Sequence, residues 1–192
     1  MQRLALAAVL IAIAPATIVL DNPRVRVYRT ADGSLAGVDH GPGVVISLDR
    51  ATAVWMDNVA SQSQSTVGGS LIIVQPRRAT APLVPVPSPG SAPGESPFKG
   101  MSFTPLFEND QVRVIRARMD VGASEAFHTH GADTLVVHLS GGAIEDTANG
   151  KTTVNRWTRG DVEFEARGSS HSARNVGKAV DVFLVALQPS AR

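Results

Sequence analysis

The chain has no cysteine among its 192 residues. That excludes disulfides, thiolate metal ligands and a cysteine nucleophile, and leaves any metal site to histidine, carboxylate or water. It also lacks a block of like charge: 18 lysines and arginines stand against 17 aspartates and glutamates, for a net charge of +1. Neither a nucleic-acid footprint nor an acidic tail is visible, so nucleic acid is not an expected partner. No segment sustains a 3.6-residue apolar period, which argues against a helical architecture. Histidine is scarce too, with five in the chain, yet two of these stand one residue apart in Gly122-Ala-Ser-Glu-Ala-Phe-His-Thr-His130.

At this length the chain holds one ordinary domain or two small ones and can bury a core unaided. Its first residues place Arg3 ahead of an apolar run over residues 4–14, followed by Ala14-Pro15-Ala16. A small residue at each of the two positions a signal peptidase reads makes residues 1–16 a secretory signal peptide. The run is short of the roughly 20 apolar residues that span a bilayer. The expectation is a periplasmic or secreted protein with no membrane association in its mature form. The alternative is an apolar segment opening a cytoplasmic fold.

Two pairs of segments echo each other. Asn22-Pro-Arg-Val-Arg-Val-Tyr-Arg29 matches Asn109-Asp-Gln-Val-Arg-Val-Ile-Arg116 in its Asn, its Val-Arg-Val and its final Arg; Leu71-Ile-Ile-Val-Gln-Pro76 resembles Leu184-Val-Ala-Leu-Gln-Pro189. Both members of the first pair alternate apolar and polar residues, as a half-buried strand does. The chain reads as a duplicated β-unit in which residues 22–76 form a copy shorter by 26 than residues 109–189. Between them, residues 77–105 carry prolines at 82, 85, 87, 89, 93, 97 and 105, a composition that reads as linker, with Leu83, Val84, Val86 and Phe98 suited to docking on a domain surface. Residues 51–70 are polar and fit no clear element. The resulting division is a signal peptide (1–16), a degenerate β-domain (17–76), a Pro-rich linker (77–105) and a second β-domain (106–192). Turn signals at Ser140-Gly141-Gly142 and Asn149-Gly150 separate short β-branched runs in that second domain, which predicts an antiparallel barrel or sandwich.

On a strand, alternate residues share a face and two residues advance the chain by about 6.8 Å. His128 and His130 therefore point to one side and can converge on a metal ion; read alone, the pair is equally compatible with one exposed and one hydrogen-bonded histidine. The surroundings add more. Gly122, five residues, His128-Thr129-His130 and later Gly141 resemble the first motif of the cupin superfamily, G-x5-HxH-x3,4-E-x6-G. Gly160, five residues, Ala166-Arg167-Gly168, two residues, His171, three residues and Asn175 resemble the second, G-x5-P-x-G-x2-H-x3-N. The resemblance covers about residues 106–189 and, more faintly, the first copy.

It implies an all-β fold, the double-stranded β-helix or cupin jelly-roll barrel, here bicupin-like because duplicated with a shortened N-terminal copy. It implies a divalent metal (Fe, Mn, Ni, Zn or Cu) held by His128, His130 and His171. It also implies small-molecule chemistry of dioxygenase, isomerase or lyase type; the alternative is a non-catalytic small-ligand or metal-binding module. Two positions depart from the pattern. Ala166 replaces the family's proline, and Thr134 stands at the family's glutamate, with Asp133 one residue out of phase unless a bulge near Gly131 turns it inward. The expected centre thus has three histidines and no carboxylate. Candidate pocket residues are Thr134, Asp133, Val136, His138, Phe127 and Phe164, with Phe183 as a further apolar candidate; His138 also reads as a hydrogen-bonded histidine at the barrel end. Glu125, Glu163 and Glu165 read as solvent-facing, since Glu163 and Glu165 alternate with Val162 and Phe164. His40 is the one histidine left in the first copy, which is expected to bind no metal. An unpaired sheet edge there invites a homodimer.

Overall fold

The computed structural model describes residues 15–61, 69–78 and 97–188. The segment read as a signal peptide lies outside these residues except for Pro15 and Ala16, and so does most of the stretch read as linker, including Leu83, Val84 and Val86.

Among the described residues, thirteen strands form two antiparallel sheets. The first contains β1 (Thr17–Asn22), β2 (Val25–Thr30), β3 (Gly43–Ser47), β4 (Thr52–Met56) and β5 (Leu71–Pro76), in the order β1-β2-β5-β3-β4. A 3-10 turn spans Val59–Ser61. The second contains β6 (Phe98–Glu108), β7 (Val112–Thr129), β8 (Thr134–His138), β9 (Gly142–Ala148), β10 (Lys151–Trp157), β11 (Val162–Glu165), β12 (Ser170–Asn175) and β13 (Val180–Leu187). Its order is β10-β9-β12-β7-β13-β8-β11, with β6 alongside β7. The 18-residue β7 belongs to both layers of the resulting jelly roll: its first half pairs with β13, and its last residues pair with β12. Gly122, at φ +76°, lies between these two halves. Among the described residues no helix is long and apolar enough to cross a membrane.

The strand order β1-β2-β5-β3-β4 recurs in the second sheet as β6-β7-β13-β8-β11. The sequence echo marks the same turn in each. Asn22 Oδ1 accepts from the backbone N–H groups of Arg24 and Val25, and Asn109 Oδ1 accepts from those of Gln111 and Val112, all at 2.8–3.0 Å. Such an Asx turn ties the hairpin's first residue to the strand that follows and so sets the register.

The two sheets pack against each other through these matching strands. Val25 and Val27, Val44 and Ile46, and Ile72 and Val74 of the first sheet share one core with Val112 and Val114, Leu135 and Val137, and Phe183, Val185 and Leu187 of the second. Each such side chain contributes about 1.5–3 kcal/mol by leaving water. Phe164 and Val162 pack on the same core. Alternation then sends the intervening residues of β7, β8 and β13 the other way. Ala117, Met119, Val136, Val180 and Val182 line the interior of the second sheet, joined by Ala123. The first sheet has no interior of that kind, because its opposite face is filled by Tyr28, Val38, Val45, Val59, Leu71 and Ile73.

Two elements differ from the sequence reading. The strand β6 begins at Phe98, inside the stretch read as linker. Pro105 is accommodated because β6 pairs on one side and its register slips between Pro105 and Phe107, where a missing N–H costs no ladder bond. The polar stretch after residue 50 contains β4, an edge strand whose Val54 is exposed, so its composition shows little apolar alternation.

Candidate metal centre

His128 lies on β7, His130 immediately follows it, and His171 is on β12 directly opposite His128. Antiparallel pairing thereby joins the two motifs. The loop is pinned on both sides of His130, whose N–H donates to the Ser169 carbonyl at 2.9 Å while its own carbonyl accepts from Gly168 N–H at 2.8 Å. Gly168 has φ +85°, a conformation that favours glycine and forms the turn that brings β12 back. Asn175, the last residue of the second motif, is a brace. Its amide donates to the carbonyls of Met119, Asp120 and Lys178 and its oxygen accepts from Gly177 N–H.

The three imidazoles form a triangle with centroids 4.8–5.0 Å apart, and each offers a nitrogen within 4.8 Å of the others. Two of the outer edges are held by acceptors. His128 Nδ1 donates to the Ala126 carbonyl at 2.9 Å, and His171 Nδ1 donates to Asp146 Oδ1 at 2.7 Å. His130 Nδ1 faces Glu165 Oε2 at 3.5 Å. A proton on Nδ1 leaves a lone pair on Nε2, so the contacts of His128 and His171 aim electron-rich nitrogens inward. The Nε2 atoms of His130 and His171 lie only 3.1 Å apart. At that distance a His130 Nε2–H can donate to the His171 Nε2 lone pair in the metal-free protein, and loss of that proton leaves both nitrogens free to turn lone pairs to one ion, so the donor set fits a metal ion.

Around this triangle is a cavity of about 350 Å³, walled by Met101, Ala117, Met119, Val136, Val182 and Leu184 among others. Thr134, Val136 and His138 line it; Asp133, Phe127 and Phe164 do not. Phe127 is 59% exposed, and Phe164 packs into the core between the sheets. Phe183 is likewise buried in that core. Asp133 is buried elsewhere: its carboxylate accepts from Arg24 Nε at 2.7 Å and from the Arg167 N–H at 2.9 Å, which straps the first sheet to the second.

Glu125, Glu163 and Glu165, read from the sequence as solvent-facing, all line the cavity. The reason is an inverted alternation. Because the first sheet covers the outside of β11, Val162 and Phe164 face outward onto apolar side chains. Glu163 and Glu165 then face inward opposite Val136 and Thr134. The only signal for this in the sequence is the β-unit ahead of the barrel, which demands an apolar partner face. Burial pushes the Glu165 carboxyl up to about 8, with Glu163, Glu125 and Asp146 adding like charge. Burial raises Glu125 and Glu163 as well. In the opposite sense, burial and then the neighbouring His171 and His128 lower His130 to about 4, so it is neutral and available as a ligand at neutral pH.

His138 is 2% exposed and stacks on Trp157, with centroids 4.9 Å apart and planes at 17°. Neither ring nitrogen has a hydrogen-bond partner in the protein. Burial lowers His138 to about 4. It is therefore a neutral imidazole in the cavity wall with a donor and an acceptor both unused by the protein, rather than the hydrogen-bonded barrel-end histidine expected from sequence. His40 is exposed in a loop of the first sheet and is not part of the three-histidine group.

No family model matches the chain, and no curated protein does. Solved structures do resemble about half of it. A cupin domain from Bordetella pertussis Tohama I is 21% identical, over 47% of this chain and 95% of that one, with a TM-score of 0.44. A cupin superfamily protein from Desulfitobacterium hafniense is 18% identical, over 56% and 99%, with a TM-score of 0.39. The polyketide cyclase RemF from Streptomyces resistomycificus is 18% identical, over 49% and 69%, with a TM-score of 0.42. From its own two motifs, the strands that pair them and the three imidazoles they bring together, the C-terminal part of this chain has the cupin fold.

Proposed function

We propose that the C-terminal barrel binds a divalent metal ion through His128, His130 and His171 and acts on a small, largely apolar molecule in the cavity beside it. The observation that carries this is the inward aim of the imidazoles. Outer acceptors hold Nδ1 protons on His128 and His171, and the Nε2 atoms of His130 and His171 stand 3.1 Å apart. An ion bound there supplies Lewis acidity and open coordination positions. The protein supplies the rest: an apolar wall to exclude water, and a neutral His138 to orient a hydroxyl or carbonyl of the ligand. The inward-facing Glu163 and Glu165 carboxyls can each give or take a proton at Oε. This arrangement favours acid–base chemistry of isomerase or lyase type over O2 activation.

We further infer that residues 17–76 are a reduced copy of the barrel without a metal site, and that residues 1–16 are removed on export to the periplasm or exterior. An intact mass lacking those residues after expression in an exporting bacterial host is the expected result; a full-length cytoplasmic product contradicts it. The metal reading is tested by elemental analysis of untagged protein purified without chelators, compared with a His128→Ala/His171→Ala variant. Near-stoichiometric metal in the parent and none in the variant is expected. Failure of the parent to take up Fe(II), Mn, Ni, Cu or Zn removes the reading.

A further inference from the structure

The family's glutamate position holds Thr134, which lines the cavity but carries no charge. The centre is nevertheless not short of a carboxylate. Building on the metal-binding reading above, we propose that Glu125 is the fourth ligand, supplied from upstream of the first histidine by a β-bulge.

Glu125 and His128 are three residues apart, and on a regular strand an odd separation sends side chains to opposite faces. Here the spacing is corrected. His128 pairs with His171 and Glu125 pairs with Ala173, so three steps along β7 match two along β12. The extra residue lies at Ala126 and Phe127, opposite Ser172. A bulge of this kind re-aims the residue before it, which returns Glu125 to the interior face. The same bulge presents the Ala126 carbonyl to His128 Nδ1 at 2.9 Å, while Phe127, next to His128, faces solvent as alternation requires. One irregularity thus sets the tautomer of a ligand and delivers a carboxylate to it.

The distances agree. Glu125 Oε2 is 3.6 Å from His171 Nε2 and 4.0 Å from His128 Nε2. Donors that share one ion, with bonds of about 2.0–2.2 Å at tetrahedral angles, stand roughly 3.4 Å apart. The other carboxylates approach from the wrong side. Asp146 and Glu165 face the Nδ1 edges of His171 and His130, where they orient the rings. Of the carboxylates that contact these imidazoles, Glu125 is the one on the Nε2 side. With it, a divalent centre of three neutral imidazoles falls from charge +2 to +1.

The test measures Zn(II) affinity by chelator competition and the visible absorption of the Co(II)-loaded protein. The proteins compared are the parent, Glu125→Gln, and Glu125→Gln/Thr134→Glu, with thermal unfolding of the metal-free proteins as a check on folding. The expected result is a loss of affinity of at least 100-fold in Glu125→Gln, a changed Co(II) spectrum, and partial recovery of both when Thr134→Glu restores a carboxylate at the family's position. Glu125→Gln binding Zn(II) within about threefold of the parent, with an unchanged Co(II) spectrum, overturns the assignment and leaves the three-histidine centre standing. A parent that binds neither ion overturns both.

Discussion

The two sheets share a strand order, an Asx-capped hairpin and a core-facing side, and differ in what lies on the other side. In the second, Thr134 and Val136 face a cavity; in the first, Val45 faces Tyr28, Val59 and Ile73 in a filled core. The cause is three strands. β9, β10 and β12 have no counterpart among the described residues of the first sheet, and they carry Asp146, Trp157 and His171. Without a second layer an inward face cannot enclose a cavity, and must be closed with apolar side chains or left wet. The shared face is kept in both because each sheet buries it against the other. Mutual burial and the metal centre therefore draw on opposite faces of the same strands, and changes to one can be made without touching the other.

The largest contrast is in metal binding. His171→Ala, on a strand the first sheet lacks, is expected to abolish stoichiometric metal uptake, while His40→Ala is expected to leave it unchanged. Elemental analysis of the two variants reads the difference directly. Loss of metal in His40→Ala would place a second site in the first sheet and end the contrast.

Stability should show the reverse, with the two sheets behaving alike. Phe183→Ala removes a ring fully buried between them and is expected to cost about 3–5 kcal/mol, and Ile72→Ala, on the facing sheet, about 2–5 kcal/mol. Both should lower a single unfolding transition, seen at the same denaturant concentration by circular dichroism and by Trp fluorescence. Two separated transitions would show that the sheets fold as independent units. Asp133→Ala is expected to cost about 2–3 kcal/mol, because it leaves the partly buried Arg24 without its carboxylate and the Arg167 N–H without its acceptor. Its metal content should not change, since Asp133 lies outside the cavity.

Much of this arrangement was legible in the residues. The spacing of His128, His130 and His171 anticipated that these three imidazoles come together, and the repeated Asn-x-x-Val-Arg-Val anticipated two equivalent hairpins. The rest was hidden for physical reasons. Strand parity assumes an unbroken strand, and the bulge at Ala126 and Phe127 breaks it without a glycine or proline to announce it. That moved Glu125 inward, whereas Phe127 lies outward as its place beside His128 already requires. The Val162 to Glu165 alternation was visible, but its direction depends on which face another sheet covers, and only tertiary packing decides that. Asp133, read as a candidate pocket residue, lies outside the cavity instead, because it is claimed by Arg24, 109 residues away, and no local pattern joins them.

The pH dependence of the metal-free protein separates the two faces again. A carboxyl whose folded value is raised binds its proton more readily folded than unfolded, so stability falls as pH rises between the two values. For Glu165, pushed up to about 8, that window runs from the ordinary carboxyl range to about pH 8. His130, lowered to about 4, works the other way, adding stability as pH rises from about 4 to its ordinary value near 6.5. Below about pH 6.5 the lowered His130 and His138 oppose the raised carboxyls Glu165, Glu163 and Glu125; above it only carboxyls act, Glu165 among them. Stability of the metal-free protein should therefore decline between about pH 6.5 and 8, and Glu165→Gln should flatten that decline. A decline of the same slope in Glu165→Gln would assign it to other groups.

The smallest expected effect lies at His138. Its ring is buried against Trp157, and both nitrogens lack a partner in the protein. His138→Phe keeps a flat ring on Trp157 and removes two buried polar atoms, so a gain of about 1 kcal/mol in the free protein is expected. If His138 orients a ligand's polar group, the same change must weaken binding selectively. Phenol carries a hydroxyl where toluene carries a methyl, and Trp157 fluorescence reports either in the cavity. The parent is expected to prefer phenol and His138→Phe to lose that preference while binding toluene as well as before. A variant that is more stable but keeps the preference would mean that the hydroxyl is read elsewhere in the cavity. A variant that is less stable would mean that the imidazole nitrogens are satisfied through the cavity in the free protein, and that this face of the barrel is polar by construction rather than held open for a ligand.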